Sequence, residues 1–161
     1  MSLTLYIIRH AKASHDQYFP SDFYRTLDQK GYKEAQLMAA FMSGKNDLPQ
    51  LIISSPAIRA YSTALIFAKQ LNYLPENILL KDAIYDAPFN TLYKVLQKTN
   101  DDHHSVALFG HNPGFTDLLN DLCGFTIDNL PTAGIACITL KNKNWSRLQS
   151  GDGKLIYIKY P

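Results

Sequence analysis

Three short runs, 3-LTLYII-8, 51-LII-53 and 106-VALF-109, are apolar with almost no polar interruption. A strand with one wet face alternates apolar and polar side chains, whereas an unbroken apolar run reads as a strand covered on both faces. The runs predict strands over 3–9, 50–55 and 106–110, and 78-ILLK-81 is a weaker fourth. Covering both faces of such a sheet requires a layer of helices on each side.

The intervening segments supply those helices. Ala35, Met38, Ala39 and Met42 recur at i, i+3, i+4 and i+7, as do Phe89, Leu92, Tyr93 and Leu96, and again Phe115, Leu118, Leu119 and Leu122. After Pro56, the residues Ala57, Ala60, Tyr61, Ala64, Ala68 and Leu71 form one apolar face, and Gly44 and Gly124 are natural C-terminal stops. The last third differs: segments 134–141, 145–149 and 154–160 read as strands joined at 142–144 and 151–153, forming an antiparallel edge. The expectation is an α/β chain, a three-layer α/β/α sandwich with a mixed, mostly parallel sheet. At 161 residues it fits one domain spanning 1–161.

Charge and apolar length narrow the partners. A net charge of +2 with no block of Lys and Arg argues against nucleic acid. No apolar run approaches the roughly 20 residues of a membrane span, and no signal-peptide pattern opens the chain. Cys123 and Cys137 stand in apolar surroundings without metal or redox spacing, which points to packed thiols and a cytoplasmic location.

The strands end on polar residues. The first ends at Arg9-His10, the second at Ser54-Ser55 with Arg59 one turn into the next helix, and the third at Gly110-His111-Asn112. Ligands of open α/β sheets bind outside the carboxyl ends of the strands. With Ser55 and Asn112 as caps, and Pro56 and Pro113 at the first helical positions, two helix N-termini join the same crevice. Two histidines, two arginines and these dipoles favour an anion, and phosphate foremost.

The segments 7-IIRHAKAS-14, 22-DFYRTLDQKG-31, 53-ISSPAIRAYSTA-64 and 110-GHNPG-114, in this order, resemble the histidine phosphatase (phosphoglycerate mutase-like) superfamily, and within it the SixA-type phosphohistidine phosphatases. Ala11 stands where many members have Gly, and Thr26 where Pro is frequent. The resemblance implies that His10 is the nucleophile and forms a phosphohistidine, with Arg9, Arg59 and His111 gripping the phosphoryl oxygens. It adds Arg25 and Asp22 near the site, with Asn112 beside His111 as a further phosphate contact. For the general acid it offers two residues: Asp86, where the superfamily places its acidic donor, and Asp22, from the SixA-like motif.

These residue types suit the chemistry. A neutral imidazole is a usable nucleophile when its other nitrogen is held. Guanidinium forks match phosphate oxygens and keep their charge, and a cationic His111 would clamp the transferred group. No metal or other cofactor is implied, and 101-DDHH-104 reads as a solvated turn. His15 has no assigned role. Tyr18, Phe19, Phe23 and Tyr24 lie near the expected mouth, where they could dock a protein. Between Asp86 and the third strand there is room for one helix and no lid, which favours a phosphorylated phosphotransfer or carrier protein as substrate. A small-molecule phosphomonoesterase and a non-catalytic phosphate- or phosphoprotein-binding module are the alternatives, and a mutase comes last.

Overall fold

In a computed structural model, which describes residues 2–15, 17 and 19–161, the apolar runs form the middle of a six-stranded sheet. Strands β1 (Leu3–Arg9), β2 (Leu51–Ser54), β3 (Leu79–Leu80) and β4 (Ser105–Gly110) run parallel. They are followed by β5 (Ile135–Leu140) and β6 (Gly153–Lys159), antiparallel to β1 and to each other respectively. The spatial order is β3-β2-β4-β1-β5-β6. β4 therefore lies between β1 and β2, with Arg9 level with Gly110.

Two helical layers cover the sheet. Helices α1 (Gln29–Ser43) and α2 (Ile58–Gln70) pack over Tyr6, Ile8, Ile52, Ala107 and Phe109. Helices α3 (Phe89–Gln97) and α4 (Gly114–Cys123) pack over Leu5, Ile7, Leu51, Ile53, Val106 and Leu108. Successive strand residues point to opposite faces, so each uninterrupted run fills two cores at once. This is the expected three-layer sandwich with a mixed sheet, and Gly44 and Gly124 stand at the helix ends as anticipated.

Three local expectations are corrected. Segment 145–149 is not a strand: Trp145–Arg147 is a 3-10 turn, and β6 pairs directly with β5. Its conformation follows from Trp145, whose side chain is fully buried while its backbone N–H donates to Asp101 Oδ1 (2.8 Å) and its indole N–H to the His103 carbonyl (2.7 Å). Asp101 is thus an anchor for this turn. Next, α2 starts at Ile58, leaving Pro56 before the helix, and the Ser55 hydroxyl accepts from the Ala57 N–H (3.2 Å). Likewise α4 follows Pro113, and Asn112 caps it from one residue further out, its Oδ1 accepting from the Thr116 N–H (3.1 Å) and hydroxyl (2.8 Å). No described helix is long and apolar enough to cross a membrane.

Candidate active site

His10 is the first residue beyond β1. Its N–H donates to the Gly110 carbonyl (3.0 Å) and its carbonyl accepts from Ala133 (3.1 Å), so its backbone is fixed from two sides. The imidazole is buried, with Nδ1 2.7 Å from the Ala11 carbonyl. A carbonyl can only accept, so Nδ1 carries the proton and Nε2 keeps its lone pair. Burial pushes the His10 pKa down to about 4; the Ala11 carbonyl opposes the shift, and the positive charges of Arg59, Arg9 and Arg25 add to it. The ring is therefore neutral near neutral pH.

His111 is the first residue beyond β4. Because β1 and β4 are neighbours, the two imidazoles emerge side by side with centroids 5.3 Å apart. His111 Nε2 lies 2.8 Å from the Ser55 hydroxyl. Burial, followed by the charge on Arg59, lowers its pKa to about 3. The expected cation at His111 is thus a neutral ring in this structure, and protonating it requires a nearby anion to offset burial.

Arg59, in the first turn of α2, is buried, and its outer nitrogens donate to the Asp22 carbonyl (2.7 Å) and Asp22 Oδ2 (2.9 Å). Thr63 ties this helix to the loop after His10: its hydroxyl donates to the Arg59 carbonyl (2.8 Å) and accepts from the Ala11 N–H (3.0 Å). Arg9 reaches the Leu130 carbonyl (3.1 Å). The Nε atoms of Arg9 and Arg59 are buried without a partner among the described residues.

The remaining sequence candidates divide. Asn112 donates both amide hydrogens away from the imidazoles, to Asn129 Oδ1 (2.7 Å) and the Leu130 carbonyl (2.9 Å), and its oxygen caps α4. Its polar atoms are engaged in holding the loop that also receives Arg9. Arg25 pairs with Asp22 (3.3 Å) and meets His15 Nδ1 (3.1 Å), so the histidine without an assigned role touches the site's periphery. Burial of Asp22 raises its pKa, but the Tyr85 hydroxyl and the Arg59 guanidinium outweigh that effect and hold it below the ordinary carboxylate range. Asp22 is thus a persistent carboxylate. Asp86 is exposed, adopts a left-handed backbone (φ 53°), and its carboxyl has no hydrogen-bond partner among the described residues. Of the mouth aromatics, Phe23 packs edge-on against Tyr24 (5.2 Å) and Tyr85 (5.3 Å), whereas Tyr18 lies outside the described residues.

Tyr85 joins these groups without any sequence signal of its own. Its hydroxyl donates to Asp22 Oδ2 (2.7 Å), and its ring stands edge-on to His111 at 5.5 Å. Gly114 makes this placement possible, since a Cβ there would sit 2.1 Å from the Ala87 carbonyl. The turn carrying Tyr85 and Asp86 is thereby held against the loop carrying His111. Among the described residues, no three His, Cys, Asp or Glu side chains group as metal ligands do.

Known proteins share this fold over nearly the full length of the chain. The chain is 29% identical over 140 residues to the phosphohistidine phosphatase SixA of Escherichia coli (strain K12), covering 86% of each protein. A SixA crystal structure from Agrobacterium tumefaciens superposes with a TM-score of 0.84 at 26% identity, covering 100% of this chain and 99% of that one. The tungstate complex of the protein histidine phosphatase SixA gives 0.83 at 28%, covering 98% and 97%. Residues 5–84 match the family model of the histidine phosphatase superfamily (branch 1). Over residues 5–84 and in its whole fold, the chain is similar to members of that superfamily.

Proposed function

We infer that the protein is a phosphatase that removes phosphoryl groups from histidine side chains of proteins, through a phosphohistidine formed at His10 Nε2. The observation that carries this reading is the His10 tautomer: a buried, neutral ring whose Nδ1–H is already donated to Ala11 leaves one lone pair to attack with. The likeness to SixA proteins over nearly the full length supports the substrate class.

In the first step His10 Nε2 attacks phosphorus in line, the substrate's P–N bond breaks, and the leaving imidazole takes a proton. In the second, water attacks phosphorus, the P–Nε2 bond breaks, and inorganic phosphate leaves. Arg9 and Arg59 are assigned the phosphoryl oxygens, where bidentate charge neutralisation matters most. His111, protonated as the dianion arrives, donates to a third oxygen, and Arg25 flanks the entrance. Asp86, free of guanidinium partners, is the better proton donor, and Asp22 the better anchor for Arg59. An imidazole leaving group makes modest demands on that donor. The only helix between Asp86 and β4 is α3, with no inserted lid, which suits a protein-borne substrate such as a phosphotransfer or carrier protein.

The test is mass spectrometry of wild type and His10→Ala after alkaline quenching of a reaction with a histidine-phosphorylated phosphotransfer protein. A transient gain of one phosphoryl mass on wild type alone, with the partner dephosphorylated, is expected. Labelling of His10 by a small phosphomonoester while the partner stays phosphorylated would retain the mechanism and transfer the substrate to small molecules. Binding without turnover in wild type would leave a phosphate-binding module.

A further inference from the structure

The sheet edge remote from the two imidazoles carries a second concave feature. β3 is only two residues long and both are exposed, so the α3 side of β2 is incompletely covered at that edge. A cavity of about 530 Å³ results, floored by Leu51 and Ile53 of β2, Leu79 of β3 and Val95 of α3. Its rim carries Lys81, Lys94 and Lys98, against one carboxylate, Asp82. None of the three lysines is in an ion pair among the described residues, and each is exposed. Lys94 of α3 and Lys98, its C-cap, are one helical turn apart and both line the same mouth.

We propose that this cavity is a binding site for a small amphipathic anion, its apolar body on the Leu51–Ile53–Leu79 floor and its carboxylate, sulfonate or phosphate head among the three lysines. The volume lies within the range of small-molecule sites, which are typically apolar with a few oriented polar groups. A concave pocket of this size holds a small body more completely than an acidic peptide strand or helix, which would leave most of its length outside. The net rim charge, three cations against one anion, selects the sign of the head group. The site is separate from the phosphate pocket: its floor uses β2 residues that precede Ser54 and Ser55, and no imidazole or guanidinium of the active site lines it.

The experiment is a fluorescence titration with 8-anilinonaphthalene-1-sulfonate, an aromatic sulfonate that brightens in apolar surroundings, on wild type, on Lys94→Glu/Lys98→Glu and on Leu79→Trp. The site predicts saturable one-to-one binding and about tenfold weaker affinity in the double variant, the scale expected from reversing two exposed charges. It also predicts loss of binding when Trp fills the floor, and competition by decanoate but far less by decanol. Both variants change residues outside the phosphate pocket, so retained phosphohistidine turnover shows that they fold. Affinity unchanged in the double variant, no saturable binding, or displacement by inorganic phosphate as effective as by decanoate would overturn the proposal. So would preferential displacement by an acidic peptide, which would reassign the surface to a protein partner.

Discussion

At the scale of single residues, the site is a set of rings whose hydrogen-bonding positions are largely assigned before any substrate arrives. His10 has one nitrogen engaged and one available, and the Asp22 carboxylate is shared among Arg59, Arg25 and Tyr85. Tyr85→Phe removes the neutral donor from this carboxylate while keeping the ring against His111. Because the hydroxyl helps hold Asp22 ionised, its loss releases Asp22 to pair differently with Arg59. The expected result is a fall in kcat/KM of about three- to tenfold, the order of one ordinary, solvent-exposed hydrogen bond, expressed mainly in KM. Unchanged steady-state kinetics would remove Tyr85 from the positioning of Arg59. Arg9, His10, Arg59 and His111 were legible in the sequence because each follows or adjoins the end of a buried apolar run. Tyr85 was not, since its place depends on the packing of Gly114 against Ala87, which no periodicity encodes.

Among elements, α1 shows how tightly the loop after His10 is built in. Its N-cap, Asp28, accepts from the Gly31 N–H (2.7 Å), and the Asp28 N–H donates to the Lys12 carbonyl (3.1 Å). A Cβ at Gly31 would stand 2.1 Å from that same carbonyl. Backbone opposing backbone has little room to yield. Gly31→Ala is therefore expected to destabilise the fold by about 1–3 kcal/mol despite the higher helix propensity of alanine, as overpacking does. Urea denaturation reads this, and a variant as stable as wild type would show that helix and loop separate freely. The helices and long strands were legible because their periods, 3.6 residues or continuously apolar, are set by burial. Segment 145–149 was not, because one indole fitting beneath Asp101 and His103 overrides its local strand propensity. The caps fell one or two residues from expectation for a similar reason: Ser55 and Asn112 serve the loops as well as the helices.

For the whole molecule, the buried imidazoles make stability depend on pH. Their folded pKa values, about 4 for His10 and about 3 for His111, lie below the unfolded value near 6.5. Below that unfolded value the denatured chain binds protons that the folded chain does not, so stability is fully present above about pH 6.5 and falls as pH drops toward 4. The loss is on the order of 3 kcal/mol for each ring by that point. Urea melts at about pH 7, 6 and 5 should show a falling midpoint, and inorganic phosphate should blunt the fall by raising both folded values. A midpoint independent of pH over that range would mean that the rings titrate in the fold at their unfolded value, and a rising one that they are protonated in the fold.

The position of β4 between β1 and β2 also dictates when the molecule can exist. As the chain is made, β1 has no neighbour to pair with, since one partner is β4 and the other, β5, comes later still, while β2 has only the two-residue β3. The unbroken apolar runs that define the sheet therefore leave the ribosome well before the strand that joins them, and they need shelter from one another and from other chains until Ser105–Gly110 has emerged. His111 therefore joins His10 and Arg59 only once β4 has entered the sheet between β1 and β2.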